Sequence, residues 1–183
     1  MGHGHRPHRH AEIRHAGPAR LLQRRCALAR PLRFPPARHA DPVRRAEPNL
    51  TSVANGRCRC GAVSFELTAE PHFTSYCHCE DCRRATGAPG VAFVGVHDSE
   101  IVWRGEPSGR YGEPPVTRFF CDTCGSPIGY RDARLDGRTY FYTAVLETPD
   151  RFAPTVHAFY PERIVWLDLH DDLPRHDRTT IDR

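Results

Sequence analysis

Three cysteines lie within six residues at Cys77, Cys79 and Cys82, in the pattern C-x-C-x-x-C. Thiols this close in sequence do not bridge one another without strain. All three can reach one metal ion, because a thiolate sulfur lies about 2.3 Å from a bound zinc ion. The spacing therefore predicts a shared metal ion rather than disulfide bonds.

Two cysteine pairs frame this triplet, one upstream and one downstream. Zinc in proteins is almost always four-coordinate, so one pair plus the triplet would supply one ligand too many. The two pairs together predict a closed structural site, and the triplet is left with an open fourth position, as catalytic sites are. The predicted ligands are Cys58, Cys60, Cys121 and Cys124 for a structural zinc, and Cys77, Cys79 and Cys82 for a catalytic zinc.

The open site favours thiol chemistry over water activation. Three thiolates on Zn²⁺ leave a net negative charge, whereas a soft, sulfur-rich site suits a fourth thiolate. Coordination keeps that thiol deprotonated and nucleophilic, ready to add to a small electrophilic carbonyl or to undergo the reverse elimination. Arg83 and Arg84 follow the triplet directly. They are expected either to offset the charge and receive a carboxylate of a thiol cofactor, or to be solvated surface residues.

Two alternatives stay open for the triplet. His78 or another histidine would complete a structural site of three cysteines and one histidine, although the ring of a residue between two ligands is expected to point away from their metal. In the second alternative, the cysteines hold no metal. This alternative fits less well, because three cysteine clusters in one small domain are typical of metal ligands.

The chain of 183 residues is long enough for one domain and an appendage. Eleven arginines against three acidic residues make residues 1–48 basic, whereas residues 49–183 carry a net negative charge. We predict a disordered Arg-, Pro- and His-rich tail over residues 1–50, a zinc-binding β domain over residues 51–175 and a frayed C-terminus over residues 176–183. The tail fits a solvated segment, a transit peptide or a nucleic-acid-binding arm.

Compartment and partners follow from the same composition. No run approaches the roughly 18 apolar residues of a transmembrane helix, and no apolar segment of a secretory signal follows Met1. We expect a cytoplasmic protein with no membrane partner, since clustered cysteines in a reducing compartment are mostly metal ligands. The acidic domain argues against a nucleic-acid partner. Cys26, outside the clusters, is predicted to be a free thiol, and nothing in the sequence specifies an oligomeric state.

Short alternating segments separated by glycine and proline turns indicate the fold. Residues 62–68 alternate apolar and polar side chains, which is typical of a half-buried strand. Residues 80–85 predict one helical turn, stopped by Gly87 and Pro89. Together the segments predict a mainly β domain with little helix. Further strands are predicted at residues 73–76, 91–96, 101–104, 116–121, 128–130, 140–146, 156–160 and 164–169.

These motifs together resemble the glutathione-dependent formaldehyde-activating enzyme (Gfa) family, which is grouped with centromere protein V. The resemblance covers roughly residues 54–175, with all seven domain cysteines in register; residues 1–50 have no counterpart. It rests on Gly56-Arg57-Cys58-Arg59-Cys60-Gly61-Ala62-Val63, on Cys77-His78-Cys79 and Cys82-Arg83, on Phe120-Cys121-Asp122-Thr123-Cys124-Gly125-Ser126, and on Val145-Leu146-Glu147-Thr148-Pro149 with Pro154, His157 and Trp166.

The resemblance implies a compact β-tent of short antiparallel strands, pinned by two zinc ions on the ligand sets given above. The implied activity is the condensation of glutathione with formaldehyde to S-(hydroxymethyl)glutathione, by a carbon–sulfur lyase whose partners are a small-molecule thiol and an aldehyde. The run Glu147-Thr148-Pro149 departs from the family's more acidic pattern.

The competing hypothesis is a non-catalytic zinc-binding module that interacts with protein or nucleic acid. The basic tail favours the module. The acidic domain and the open coordination position of the triplet favour the enzyme.

Overall fold

The structure, a computed structural model, describes residues 52–135 and 137–179. Within these residues it has ten β-strands in two sheets and one α-helix. The prediction of a mainly β domain with little helix is therefore confirmed. The predicted tail over residues 1–50, including Cys26, lies outside the described residues. In the described part, no helix is long and apolar enough to cross a membrane.

The ten strands form a small sheet and a larger one. The elements are β1 (Ala54–Arg57), β2 (Ser64–Leu67), β3 (Phe73–Cys77), α1 (Glu80–Thr86), β4 (Val91–His97), β5 (Ile101–Gly105), β6 (Gly109–Tyr111), β7 (Val116–Phe120), β8 (Pro127–Asp132), β9 (Arg138–Tyr142) and β10 (His157–Ala158). The small sheet has the order β1-β2-β5, and the larger has the order β10-β3-β4-β9-β8-β7-β6. Neighbouring strands are antiparallel except β3 and β10, which pair in parallel.

Two strands that the sequence pattern did not predict contain glycine, which is depleted in strands. In both, the glycine faces an aromatic ring. A Cβ on Gly56 in β1 would lie 2.2 Å from the ring of Phe65, and a Cβ on Gly109 in β6 would lie 2.6 Å from the ring of Phe120. These rings fill the space that a side chain at either position would occupy, which explains why glycine is found in these two strands.

Two predicted strands differ from the structure. Residues 164–169 form no strand, and Val165 and Trp166 are largely exposed, so their alternating apolar pattern does not pack on a sheet. The predicted strand over residues 140–146 ends early: β9 stops at Tyr142, and the chain continues as a 3-10 turn, Thr143–Val145.

The first of two buried clusters lies between the sheets and centres on Phe65. Its ring stacks on Phe141 with centroids 4.0 Å apart and meets Trp103 edge-on at 5.4 Å. Cys58 and Cys121 are buried in the same cluster. One cysteine of each outer pair is therefore part of the hydrophobic core.

The second buried cluster surrounds the triplet. Tyr140, Tyr142 and Phe93, from β9 and β4, pack with Cys77 and Cys82. Each group of cysteines thus lies in a core of its own, and the larger sheet contributes to both.

Residues 174–176 hydrogen-bond to the segment that contains β10. The backbone N–H of His157 donates to Pro174 O, and that of His176 donates to His157 O, each at 2.8 Å; Tyr160 N–H donates to His176 O at 3.0 Å. The sequence predicted fraying from residue 176, but the structure pairs His176 on both sides. Composition did not reveal this pairing because it depends on the backbone and not on side-chain polarity.

Replacing Phe65 with alanine is expected to lower the free energy of unfolding by about 3–5 kcal/mol, since a fully buried aromatic side chain leaves a cavity. Urea denaturation measures the change. Trp166→Ala, at an exposed position, is the control and is expected to stay within about 0.5 kcal/mol of the parent. Equal losses in the two variants would contradict this account of the core.

Deleting residues 174–183 is expected to lower the free energy of unfolding by about 2–6 kcal/mol, because four backbone hydrogen bonds to the segment that contains β10, worth about 0.5–1.5 kcal/mol each, are lost. Denaturation of this variant should be compared with that of a chain lacking only residues 180–183. If both truncations leave stability unchanged, the pairing of residues 174–176 contributes nothing to the fold.

Candidate metal centre and active site

Four cysteine sulfur atoms from two separate turns lie within 4.8 Å of one another. The Sγ atoms of Cys58 and Cys60 are 3.5 Å apart, and those of Cys60 and Cys121 are 3.8 Å apart. Sulfur atoms on one tetrahedral zinc ion would lie about 3.8 Å apart, because each zinc–sulfur bond is about 2.3 Å long. All are free thiols. This four-cysteine cluster, made of Cys58, Cys60, Cys121 and Cys124, therefore fits a zinc ion.

Glycines with positive φ form the two turns that carry these cysteines. Gly61 (φ 81°) donates its N–H to Cys58 O at 3.2 Å, and Gly125 (φ 72°) donates to Cys121 O at 2.8 Å. The N–H of Val63 donates to the Cys58 sulfur at 3.3 Å. Other residues are strained at such φ values, so the glycines allow each turn to present two sulfurs on the same side.

The three sulfur atoms of the triplet also lie within 4.8 Å of one another. Cys77 ends β3, and its thiol donates to Cys79 Sγ at 3.4 Å. Cys79 is the N-cap of α1, and its sulfur accepts the backbone N–H of Cys82 at 3.3 Å. A strand end and the first turn of a helix together form this three-cysteine cluster.

Among the described residues, no histidine, cysteine or carboxylate joins the three-cysteine cluster as a fourth ligand. The ring of His78 is directed elsewhere: its Nε2 lies 2.8 Å from Nδ1 of His157, whose Nε2 lies 3.1 Å from the carboxylate of Asp171. The geometry thus gives no support to the alternative in which His78 completes a structural site. It connects His78 to the C-terminal segment instead.

The surroundings shift the pKa values of the thiols in the three-cysteine cluster in opposite directions. Hydrogen bonds from Cys77 and Cys82 lower the pKa of Cys79, whereas hydrogen bonds to Cys79 and Cys82, together with burial, raise the pKa of Cys77. Cys79 is half-buried, while Cys77 and Cys82 are buried, so Cys79 is the most exposed residue of the three.

Aromatic side chains lie around the three-cysteine cluster. The ring centroid of Phe93 is 5.1 Å from those of both Tyr130 and Tyr142. Burial raises the pKa of both phenols, so they are neutral at physiological pH. Surroundings poor in water strengthen the electrostatic interactions of any charge held there.

A buried arginine that the sequence analysis did not single out lies beside the cluster. The side chain of Arg118, on β7, donates to Asp81 Oδ2 at 2.6 Å and lies 3.9 Å from Cys82 Sγ. Burial lowers the pKa of the guanidinium, but the hydrogen bond and charge of Asp81 outweigh it and raise the pKa above its ordinary value. The sequence signal was an arginine inside a strand, three residues before Cys121.

The two arginines that the sequence analysis singled out lie on α1. Arg83 donates from Nε to His78 O at 3.0 Å and from Nη2 to Glu162 O at 3.2 Å. Arg84 is exposed and pairs with Glu80 at 2.6 Å. Arg83 therefore fixes the backbone around the triplet, whereas Arg84 lies at the surface.

Comparison with known proteins adds three findings. The family model described as glutathione-dependent formaldehyde-activating enzyme matches residues 53–162. An uncharacterized lyase of Schizosaccharomyces pombe is 32% identical over 93 residues; these are 50% of this chain and 66% of that protein, just under two thirds of its length. A crystal structure of a Rhodobacter sphaeroides protein is 26% identical, covers 51% of this chain and 87% of that chain, and gives a TM-score of 0.42, which is too low to carry an argument about the fold.

The matched residues 53–162 contain both cysteine clusters, the helix α1 and all ten strands. The match extends over more than half of the chain, and the resemblance in the sequence motifs is confirmed. The chain belongs to the glutathione-dependent formaldehyde-activating enzyme family.

Proposed function

We propose that this chain is a zinc-dependent carbon–sulfur lyase that adds the thiol of glutathione to formaldehyde, or to a related small aldehyde, and so forms S-(hydroxymethyl)glutathione. The family and the lyase among the similar proteins support the reaction class. The observation that carries the proposal is the three-cysteine cluster, which among the described residues gains no fourth protein ligand. Structural zinc sites are closed, whereas catalytic ones keep a position for a substrate.

In this proposal Cys77, Cys79 and Cys82 hold the catalytic ion of a chain that binds two zinc ions. A zinc ion on three thiolates would keep an incoming thiol deprotonated at neutral pH and therefore nucleophilic. The half-buried Cys79 marks the side from which the thiol arrives. Phe93 and Tyr142 pack in the buried cluster that contains Cys77 and Cys82, and so limit the access of water to those two residues.

The four-cysteine cluster has a structural role in this proposal. It joins the turn between β1 and β2 to the turn between β7 and β8, and its Cys58 and Cys121 are buried in the core. Metal binding at such a site contributes directly to the free energy of folding.

Glutathione carries carboxylates, which arginine side chains bind well. Arg84 is exposed on α1, two residues after Cys82, and its present partner Glu80 is also exposed. We assign it to a carboxylate of the thiol cofactor. The Nε and Nη2 groups of Arg83 already donate to backbone carbonyls, so its part is to hold the loop before α1 in place.

Replacing Cys77 with serine is expected to lower the zinc content from two ions per chain to one and to abolish thiol-dependent turnover, because only the three-cysteine cluster loses a ligand. The fold should persist. Metal analysis, circular dichroism and an assay with glutathione and formaldehyde measure the three effects.

Two further serine variants complete this experiment. Cys121→Ser is expected to unfold the domain, because the structural ligand set is broken, and Cys26→Ser is expected to keep both zinc ions and full turnover. Unfolding of Cys77→Ser to the same extent as Cys121→Ser would make the triplet structural. A folded Cys77→Ser variant with unchanged turnover would also refute the proposal.

Replacing Arg84 with glutamine is expected to raise KM for glutathione by about two- to fivefold at constant kcat, since an exposed ion pair contributes up to about 1 kcal/mol. KM for 2-mercaptoethanol, a thiol without carboxylates, should not change. Arg151→Gln, which removes an exposed arginine paired with Glu70, is the control. Equal changes for both thiols would remove Arg84 from the cofactor site.

A further inference from the structure

Arg118 differs in burial from the other ion-paired arginines of the described residues. Its side chain is 8% exposed, whereas those of the others are at least 33% exposed. Removing a charged group from water is costly unless partners satisfy it. The burial of the Arg118 charge beside three thiols therefore requires an explanation.

The guanidinium of Arg118 has a donor that the protein does not use. Nη2 donates to Asp81 Oδ2 and approaches Cys82 Sγ. The Nε–H is buried and has no hydrogen-bond partner. A buried donor left without an acceptor is destabilising, and native structures satisfy nearly all such groups. The unsatisfied Nε–H donor of Arg118 lies beside a candidate active site, which suggests that a ligand supplies its acceptor.

Two phenols share this space with the guanidinium. Burial raises the pKa of Tyr142, and the nearby charge of Arg118 partly opposes that rise. Tyr111 is subject to the same two influences, and its hydroxyl donates to Ala85 O at 3.2 Å, on the helix that carries Cys82. An acceptor that reaches the Nε–H of Arg118 would therefore lie beside the buried phenol of Tyr142 and the partly exposed phenol of Tyr111.

We propose that Arg118 is a catalytic residue whose Nε–H binds the oxygen atom of the aldehyde at the three-cysteine cluster. This role rests on the function proposed above. The thiol first releases its proton to water, and its sulfur adds to the carbonyl carbon. A C–S bond forms, the π electron pair of C=O moves to the oxygen, and the oxygen then takes a proton from water. A charged donor fixed where this negative charge develops stabilises the transition state.

The arginines adjacent to Cys82 in sequence do not meet the same requirements. Arg83 donates to two backbone carbonyls, and Arg84 is exposed and paired with Glu80. Arg118 combines burial, proximity to a cluster sulfur and an unused N–H in one side chain. Asp81 holds the guanidinium in place from α1 and leaves Nε free.

The first test compares steady-state kinetics of Arg118→Met and Arg118→Lys with those of Arg131→Gln, an ion-paired arginine on the neighbouring strand β8. Arg118→Met is expected to lower kcat by about 100-fold, as loss of an oxyanion donor does. KM for glutathione should change less than about threefold, and zinc content should remain two ions. Arg118→Lys should lie between parent and Arg118→Met, and Arg131→Gln should match the parent. Unchanged kcat in zinc-loaded Arg118→Met would overturn the proposal.

A second test does not depend on turnover and uses formate as the probe, because its oxygens carry the charge that the aldehyde oxygen acquires. Saturation-transfer NMR on the full chain should detect formate binding, at least about tenfold weaker in Arg118→Met and unchanged in Arg131→Gln. Formate binding that depends on Arg118, in a protein without thiol-dependent turnover, would refute the proposed function and leave the anion site intact. Absence of formate binding to the parent would overturn the role of Arg118.

If Arg118→Met loses its zinc or its fold, the Arg118→Lys variant replaces it in both tests. Full turnover and full formate affinity in Arg118→Lys would refute a role for the Nε–H group.

Discussion

Four thiols from two distant turns must be held at sulfur–sulfur contact, and the rest of the domain depends on that constraint. Cys60 and Cys121 are 61 residues apart in sequence, yet their sulfurs are 3.8 Å apart. Closing so long a loop costs conformational entropy. Burial of Cys58 and Cys121 against Phe65 and its neighbours offsets part of that cost. A metal ion binding all four sulfurs would supply the remainder.

The four-cysteine cluster also determines where the guanidinium beside the other cluster lies. β7 ends at Phe120, directly before Cys121, so whatever fixes that turn fixes the strand. Arg118 lies on this strand and holds α1 through Asp81, next to Cys82. The four-cysteine cluster thus positions a charged group beside the three-cysteine cluster through a strand of only five residues.

Local chemistry could be predicted from the sequence, whereas contacts between distant residues could not. Close cysteine spacing and alternating strands are local, so the grouping of the thiols and the mainly β fold were accessible. Arg118 and Asp81 are 37 residues apart, and His78 and His157 are 79 apart, so neither contact leaves a local pattern. Adjacency in sequence also does not distinguish Arg83 from Arg84: both follow Cys82, but successive helical residues point in different directions, and only Arg83 donates to the backbone around the triplet.

The two clusters consist of the same residue type, so the different roles proposed for them must come from the number of sulfurs and from what surrounds them. Apolar side chains such as Val63 and Phe119 pack with the four-cysteine cluster, and four sulfurs complete a tetrahedral set. The three-cysteine cluster lies instead beside neutral phenols and one buried cation, and Cys79 is partly accessible. In the proposed reaction, Arg118 would oppose the negative charge that builds up there. A complete set of four ligands favours a permanently bound ion, whereas an incomplete set beside a fixed cation favours binding a substrate whose charge changes during reaction.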